Sequence, residues 1–74
     1  LYIAGQYEEA LGFFNQSVLI APSFSKAWNN KGLTLMKLGR YSEAVHSFEK
    51  VIELDPNYPG VNDNLAEAKA GLKG

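Results

Sequence analysis

Residues 25–58 read SKAWNNKGLTLMKLGRYSEAVHSFEKVIELDPNY, and much of this stretch occurs twice in the chain. Shifting the 74-residue sequence by 34 positions aligns residues 1–24 with residues 35–58 and gives seven identical pairs. The pairs are Leu1/Leu35, Gly5/Gly39, Tyr7/Tyr41, Glu9/Glu43, Ala10/Ala44, Phe14/Phe48 and Pro22/Pro56. Self-similarity at one fixed period is the signature of a repeat protein, in which each small structural unit stacks on the next.

The spacing of the apolar residues predicts that each unit is helical. Ala44, Phe48 and Val51 recur at intervals of four and three, which places them on one face of a helix. A proline follows two of these segments and Gly39 follows another, and residues of these types end helices. We therefore predict a helical stub over residues 1–4 and helices over residues 8–20, 25–38, 43–54 and 59–72.

The central unit resembles a tetratricopeptide repeat, a helix-turn-helix unit of the same length. The residues that carry this resemblance are Trp28, Gly32, Ala44, Phe48 and the closing Pro56. Lys31 and Leu35 depart from the family pattern, which has Leu and Tyr at those positions. The resemblance implies an all-α fold, in which antiparallel helix-turn-helix repeats stack as a right-handed α-solenoid, or α-α superhelix.

The same resemblance divides the chain into three parts. Residues 1–24 correspond to a partial first repeat, with the end of helix A and the whole of helix B, and residues 25–58 to a complete repeat. Residues 59–74 correspond to helix A of a third repeat or to a capping helix, and Asn62 at the Trp28 position favours the cap. Because position 1 is Leu rather than Met, we expect a piece of a longer protein.

The family's characteristic residues imply a packing role rather than a chemical one. Small residues let two helices approach closely, and aromatic residues fill the gaps between them. The implied packing positions are Trp28, Gly32, Ala44, Phe48, Pro56, Ala10, Phe14 and Pro22. Because the first repeat is partial, we expect Leu11, Phe14 and Val18 to lack part of their cover, which leaves apolar surface exposed at the amino-terminal end.

The composition argues against catalytic, cofactor and metal sites. The chain has no Cys, and His46 is its single His, so no cluster of His and Cys ligands is available to a metal ion. His46 falls between apolar positions and is expected to face solvent. The serines have no base in evident reach. We therefore expect no catalytic residue and no cofactor.

Charge and hydropathy bear on partners and location. The net charge is -1 and no run of Lys or Arg occurs, which argues against nucleic acid as a partner. The longest apolar stretch, residues 17–21, is too short to insert across a bilayer. No secretory signal is visible. The sequence does not determine the cellular compartment, and the lack of Cys favours the cytoplasm.

The resemblance implies that the first helices line a concave groove that binds an extended or helical peptide. The implied groove positions are Lys26, Asn29, Asn30, Leu33, Met36 and Lys37. Tyr2, Ile3, Asp63, Glu67 and Ala70 would continue this surface. We therefore expect a scaffold for protein–protein interaction, whose partner is a protein or peptide.

Two alternative functions stay open. The chain could self-associate into a homo-oligomer through the incomplete first repeat, with Leu11 and Phe14 at the contact. It could also be the regulatory arm of a larger protein whose catalytic part lies elsewhere.

One subtype of the family, the carboxylate clamp, grips the free carboxyl terminus of chaperone tails with Lys, Asn and Arg side chains. Asn30 matches the middle Asn of this clamp, but Gly60 and Asn64 stand where the third helix needs Lys and Arg. In the other register, Asn29 and Leu33 replace the required Lys and Asn. We therefore expect no specific binding of such tails.

Overall fold

The chain forms four helices, seen in a computed structural model that describes residues 4–73. Helix α1 spans Ala4–Ile20, α2 Ser25–Lys37, α3 Tyr41–Leu54 and α4 Val61–Lys73, and no strand occurs in this part of the chain. α2 packs on α1 and α3, and α3 also packs on α4. The predicted all-α repeat fold is confirmed, since short connections join antiparallel helices that stack side by side. None of these helices is long and apolar enough to cross a membrane.

The turn between α2 and α3 depends on Gly39. This residue has a φ of 76°, a backbone conformation that residues with a side chain rarely adopt. The Arg40 N–H donates to the Leu35 carbonyl oxygen at 2.9 Å, and the Gly39 N–H donates to that of Met36 at 3.0 Å. These bonds satisfy carbonyl groups that a helix end leaves without partners. α2 therefore stops at Lys37 and the chain reverses into α3.

Helix α1 differs from the prediction at Gly5. The repeat pattern predicts a stub, a turn and then a helix, as around Gly39, but α1 runs unbroken from Ala4 through Gly5 to Ile20. A continuous helix over these residues keeps i→i−4 backbone hydrogen bonds that a turn at Gly5 would lose. The predicted end of a helix A, residues 1–4, falls mostly on residues 1–3, which lie outside the described residues.

Helix α4 begins at Val61, two residues later than predicted. Gly60 has a φ of 79°, which is not helical, so Pro59 lies in the turn before the helix. Asp55 orders this turn: its Oδ1 accepts a hydrogen bond from the Asn57 N–H at 3.2 Å. Its carbonyl oxygen also accepts one from the Tyr58 N–H at 3.0 Å. The turn thus has its own hydrogen bonds and does not need Pro59 to start the helix.

The core lies among α2, α3 and α4, where Leu35, Phe48, Val51 and Val61 are fully buried. Gly32 lets α2 approach α3 closely. A Cβ atom at position 32 would lie 2.6 Å from Cε1 of Phe48, much closer than two carbon atoms normally pack. The Phe48 ring therefore occupies the space that any side chain at position 32 would need.

Other positions that the resemblance assigns to packing are less buried. Pro22 and Pro56 are exposed in the turns after α1 and α3, where a proline can end a helix without filling the core. Trp28 is half-buried, and its Nε1–H donates to the Pro22 carbonyl oxygen at 2.8 Å. Ala10 and Phe14 are also half-buried, because α1 packs on α2 alone.

One face of α1 is open and apolar. Phe13 is 68% exposed, whereas Ser47, its counterpart one period later on α3, is 1% exposed. The expectation that Leu11 and Val18 lack cover is wrong, since only 5% and 6% of their surfaces are exposed. They lie on the covered side of α1, where α2 packs. The exposed apolar surface of α1 does occur, but Phe13, Leu19 and Ile20 form it.

Candidate binding cleft between α2 and α4

A cleft of about 420 Å³ opens between α2 and α4. Its lining residues on each helix are spaced by one, three or four positions, so they share one side of that helix. They are Leu33, Met36 and Lys37 on α2, Asn64, Glu67 and Gly71 on α4, and Tyr41 at the start of α3. The cleft is thus formed by the two helices to which the resemblance assigns a peptide groove.

The shape of the cleft depends on a close contact between Tyr41 and Gly71. A Cβ atom at position 71 would lie 2.5 Å from Cδ1 of Tyr41. The Tyr41 ring therefore packs directly against the backbone of α4. Any side chain at position 71 would displace this ring, and the wall between α2 and α4 would change with it.

The residues predicted to form the groove on α2 divide into two groups. Leu33, Met36 and Lys37 line the cleft. Lys26, Asn29 and Asn30 lie on α2 outside this lining. Of these, Lys26 is exposed and Asn30 is half-buried, whereas Asn29 is only 8% exposed.

The residues predicted to extend the groove differ in whether they line the cleft. Glu67 lines the cleft, whereas Asp63 and Ala70 are exposed on α4 outside the lining. Tyr2 and Ile3 lie outside the described residues. The structure therefore places one of the three α4 positions in the cleft.

Three lining residues, Tyr41, Asn64 and Gly71, were not predicted as groove residues. Asn64 lies 34 positions after Asn30, so the repeat period contained a signal for it. Tyr41 and Gly71 had no such signal, because their place in the cleft depends on how α3 and α4 pack together.

The walls of the cleft are chemically mixed. Leu33 and Met36 offer apolar surface, and the Asn64 amide can both donate and accept hydrogen bonds. Lys37 and Glu67 carry opposite charges, so the lining has no net charge. This arrangement suits a ligand that combines apolar side chains with hydrogen-bonding groups.

Neither the single His of the chain nor a group of metal ligands is found in the lining of this cleft. His46 is exposed on α3 and lies outside the lining. Within residues 4–73, no three His, Asp or Glu side chains are grouped so that they could hold a metal ion. The ionisable side chains in the lining are those of Lys37, Tyr41 and Glu67.

Comparison with known proteins gives a consistent result. Residues 25–58 match the family model described as tetratricopeptide repeat. The chain is 34% identical over 71 residues to the Hsp70-Hsp90 organizing protein of Triticum aestivum, a match that covers 96% of this chain and 12% of that protein. It is 37% identical over 68 residues to the small glutamine-rich tetratricopeptide repeat-containing protein 2 of Mycosarcoma maydis, which covers 92% of this chain and 19% of that protein.

The chain therefore spans less than a fifth of either relative. Both matches nevertheless include nearly all of its residues, well beyond the central unit. The period of 34 residues and the stacked antiparallel helices agree with the family model. The chain belongs to the tetratricopeptide repeat family.

Proposed function

We propose that the chain is a protein–protein interaction scaffold rather than an enzyme, and that the α2–α4 cleft binds a peptide segment of a partner. One observation carries this proposal: apolar residues of α2 and polar residues of α4 line a single cleft. A peptide presents both apolar side chains and backbone N–H and C=O groups, so it matches both walls.

The chemistry of the cleft also narrows the kind of peptide. Leu33 and Met36 provide apolar contact, and the flexible Met side chain can adapt to different partners. Asn64 can bond to the peptide backbone. Lys37 and Glu67 oppose each other in charge, so the cleft favours a segment without a strong net charge.

A pair of charge reversals on α4 tests this proposal. Peptides selected from a random display library are expected to bind the Glu67→Lys variant about three- to tenfold more weakly, because the reversal leaves only positive charges in the lining, which no longer matches a segment without a strong net charge. Asp63→Lys makes the same change on the same helix at an exposed position outside the cleft, and should leave affinity unchanged. Titration calorimetry gives both affinities, and equal losses in the two variants would contradict the proposal.

Binding of chaperone tails is expected to be absent, although the name of one relative refers to Hsp70 and Hsp90. The cleft holds one cation, Lys37, and Glu67 offsets it. Gly60 and Asn64 cannot supply the missing positive charges. Calorimetry with a tail peptide and its amidated form checks this. A micromolar Kd that is lost on amidation would show that a clamp exists.

The open face of α1 favours self-association as a second candidate function. Phe13 and Ile20 are 68% and 80% exposed, and the half-buried Ala10 and Phe14 border them. The sequence predicts Leu11 and Phe14 at the contact, but Leu11 is buried and cannot reach a second copy without unfolding. We therefore place the contact on Phe13 and Ile20.

Two residues of α4 oppose head-to-tail association. In such an assembly, α4 would pack on α1 of the next copy as α2 packs on α3. Ala66 would then take the place of Gly32, where the structure has no room for a Cβ atom against an aromatic ring. Lys69 would take the place of the fully buried Leu35 and bury a charge. A symmetric pair, with α1 against α1, avoids both penalties.

Substitutions at the two ends of the chain test this association. Phe13→Glu is expected to weaken the dimer by about tenfold or more, because it places a charge at the centre of the apolar contact. Leu72→Glu changes a similarly exposed apolar residue on α4 and should have no effect. Sedimentation equilibrium measures the mass against the 8.1 kDa monomer. A wild-type chain that stays monomeric at every concentration would exclude self-association.

A further inference from the structure

A second groove, of about 470 Å³, is lined by residues of α1, α2 and α3. On α2 its lining residues are Trp28 and Lys31. At 100° per residue, Trp28 lies about 180° around the helix from Lys37 of the α2–α4 cleft. The groove and the cleft therefore open on opposite sides of α2, and a ligand in one does not occupy the other.

Apolar residues form one side of the groove and its rim. Leu11 and Val18 are buried, and the half-buried Trp28 ring lies beside them. The hydrogen bond from Trp28 Nε1 to the Pro22 carbonyl oxygen holds this ring in place. Leu19, also in the lining, is 79% exposed. Leu19 therefore extends the apolar surface of the groove to its rim.

Lys31 carries a positive charge in this groove that no carboxylate of residues 4–73 pairs with. The Arg40 guanidinium donates hydrogen bonds of 2.8 and 3.2 Å to the Glu43 carboxylate. These bonds, and the negative charge of the carboxylate, raise the pKa of Arg40. Glu8 lies 3.8 Å from the same guanidinium. Lys31 Nζ instead lies 5.2 Å from the centroid of the Trp28 ring, and it forms no salt bridge with any carboxylate of residues 4–73.

The groove also contains an acceptor without a donor. Oδ1 of Asn15 is buried and has no hydrogen-bond partner among the described residues, although Asn15 is in the groove lining. A buried acceptor of this kind is unfavourable until a donor reaches it. Because the atom is closed off from solvent, a donor reaches it only when the Asn15 side chain rotates toward the groove.

These features are not a general property of the repeat. One period further along the chain, the residues equivalent to Asn15, Leu19, Trp28 and Lys31 are Glu49, Glu53, Asn62 and Leu65. The exposed leucine, the aromatic ring and the cation are thus all replaced by residues of different chemistry. The family pattern, moreover, has Leu where Lys31 stands. The combination is specific to this groove.

We propose that this groove binds an acidic peptide segment of a partner protein, in which a large aliphatic side chain stands next to a carboxylate. The aliphatic side chain packs between Leu19 and Trp28, and the carboxylate faces Lys31. A rotation of the Asn15 side chain lets its Oδ1 accept a hydrogen bond from a backbone N–H of the peptide. This site is independent of the α2–α4 cleft, so one copy of the chain can hold two segments at once.

The fluorescence of Trp28, the single Trp of the chain, reports on this groove. The probe is the blocked peptide acetyl-Asp-Leu-Leu-Asp-amide, with acetyl-Asn-Leu-Leu-Asn-amide as its neutral control. We expect a saturable change in Trp28 fluorescence with the acidic peptide. The neutral peptide should bind about threefold or more weakly, since it loses the attraction of Lys31.

Three variants locate the binding site. Lys31→Leu restores the family residue and should remove the preference for the acidic peptide. Leu19→Gln alters an exposed side chain, so the fold is retained, and should weaken both peptides by about tenfold through lost apolar contact. Glu67→Lys, in the other cleft, should change neither affinity. No saturable fluorescence change, equal affinity for the two peptides, or a loss on Glu67→Lys without one on Leu19→Gln would overturn the proposal.

Discussion

Replacing Phe48 with alanine is expected to lower the free energy of unfolding by about 3–5 kcal/mol. The Phe48 ring is fully buried, and it fills the space beside Gly32 where α2 approaches α3. Its removal leaves a cavity between two helices that a rigid backbone cannot close. A loss of this size is a large part of the stability of a small domain, so the variant should be largely unfolded in mild urea. Urea titration followed by circular dichroism measures it.

Phe14→Ala provides the matched control, because Phe14 occupies the same repeat position on α1. Phe14 is only half-buried, since α1 packs on one helix. Its loss should cost about 1–2 kcal/mol, in line with the smaller apolar area removed from contact. Equal losses for the two variants would show that α1 is as well packed as α3, contrary to the structure.

Gly32→Ala is expected to lower the free energy of unfolding by up to about 2 kcal/mol. Alanine favours a helix over glycine by about 1 kcal/mol, so propensity alone predicts a gain. The new Cβ atom, however, would lie 2.6, 2.8 and 2.9 Å from three atoms of the Phe48 ring. The ring is enclosed in the core and cannot move aside cheaply, and overpacking of this kind costs about 1–3 kcal/mol. The steric cost therefore outweighs the gain in propensity.

Gly12→Ala isolates the contribution of helix propensity. Gly12 also lies inside a helix, but nothing stands within 4 Å of a Cβ atom built there. This variant should be more stable than the wild type by about 0.5–1 kcal/mol. The same urea titration measures both variants. If Gly32→Ala were as stable as Gly12→Ala, the close approach of α2 and α3 would be wrong.

Most helices were predictable because their limits depend on neighbouring residues in the chain. Gly39 ends α2 through a positive φ and two hydrogen bonds within six residues, and the sequence contains both causes. The prediction failed at Gly5, although this glycine matches Gly39. A turn there would be favoured only if a preceding helix packed on α1, and local sequence cannot supply that contact.

The α2–α4 cleft was predictable only in part for the same reason. The helical period places Leu33, Met36 and Lys37 on one side of α2, whatever that helix packs against. Asn29 belongs to the set of predicted groove residues, but it is only 8% exposed. Its burial depends on the helices that pack against α2. Tyr41 enters the cleft only because Gly71 lets its ring lie against α4.

The sequence by itself determined that this chain is a helical repeat. It also determined where most of the helices end and which positions are equivalent between repeats. All of these depend on residue type and on spacing along the chain. Only the tertiary structure decided which equivalent positions are covered. Phe13 and Ser47 are one period apart, yet the larger and more apolar of the two is exposed. Burial depends on how many helices pack against a face, and α1 has one such neighbour where α3 has two.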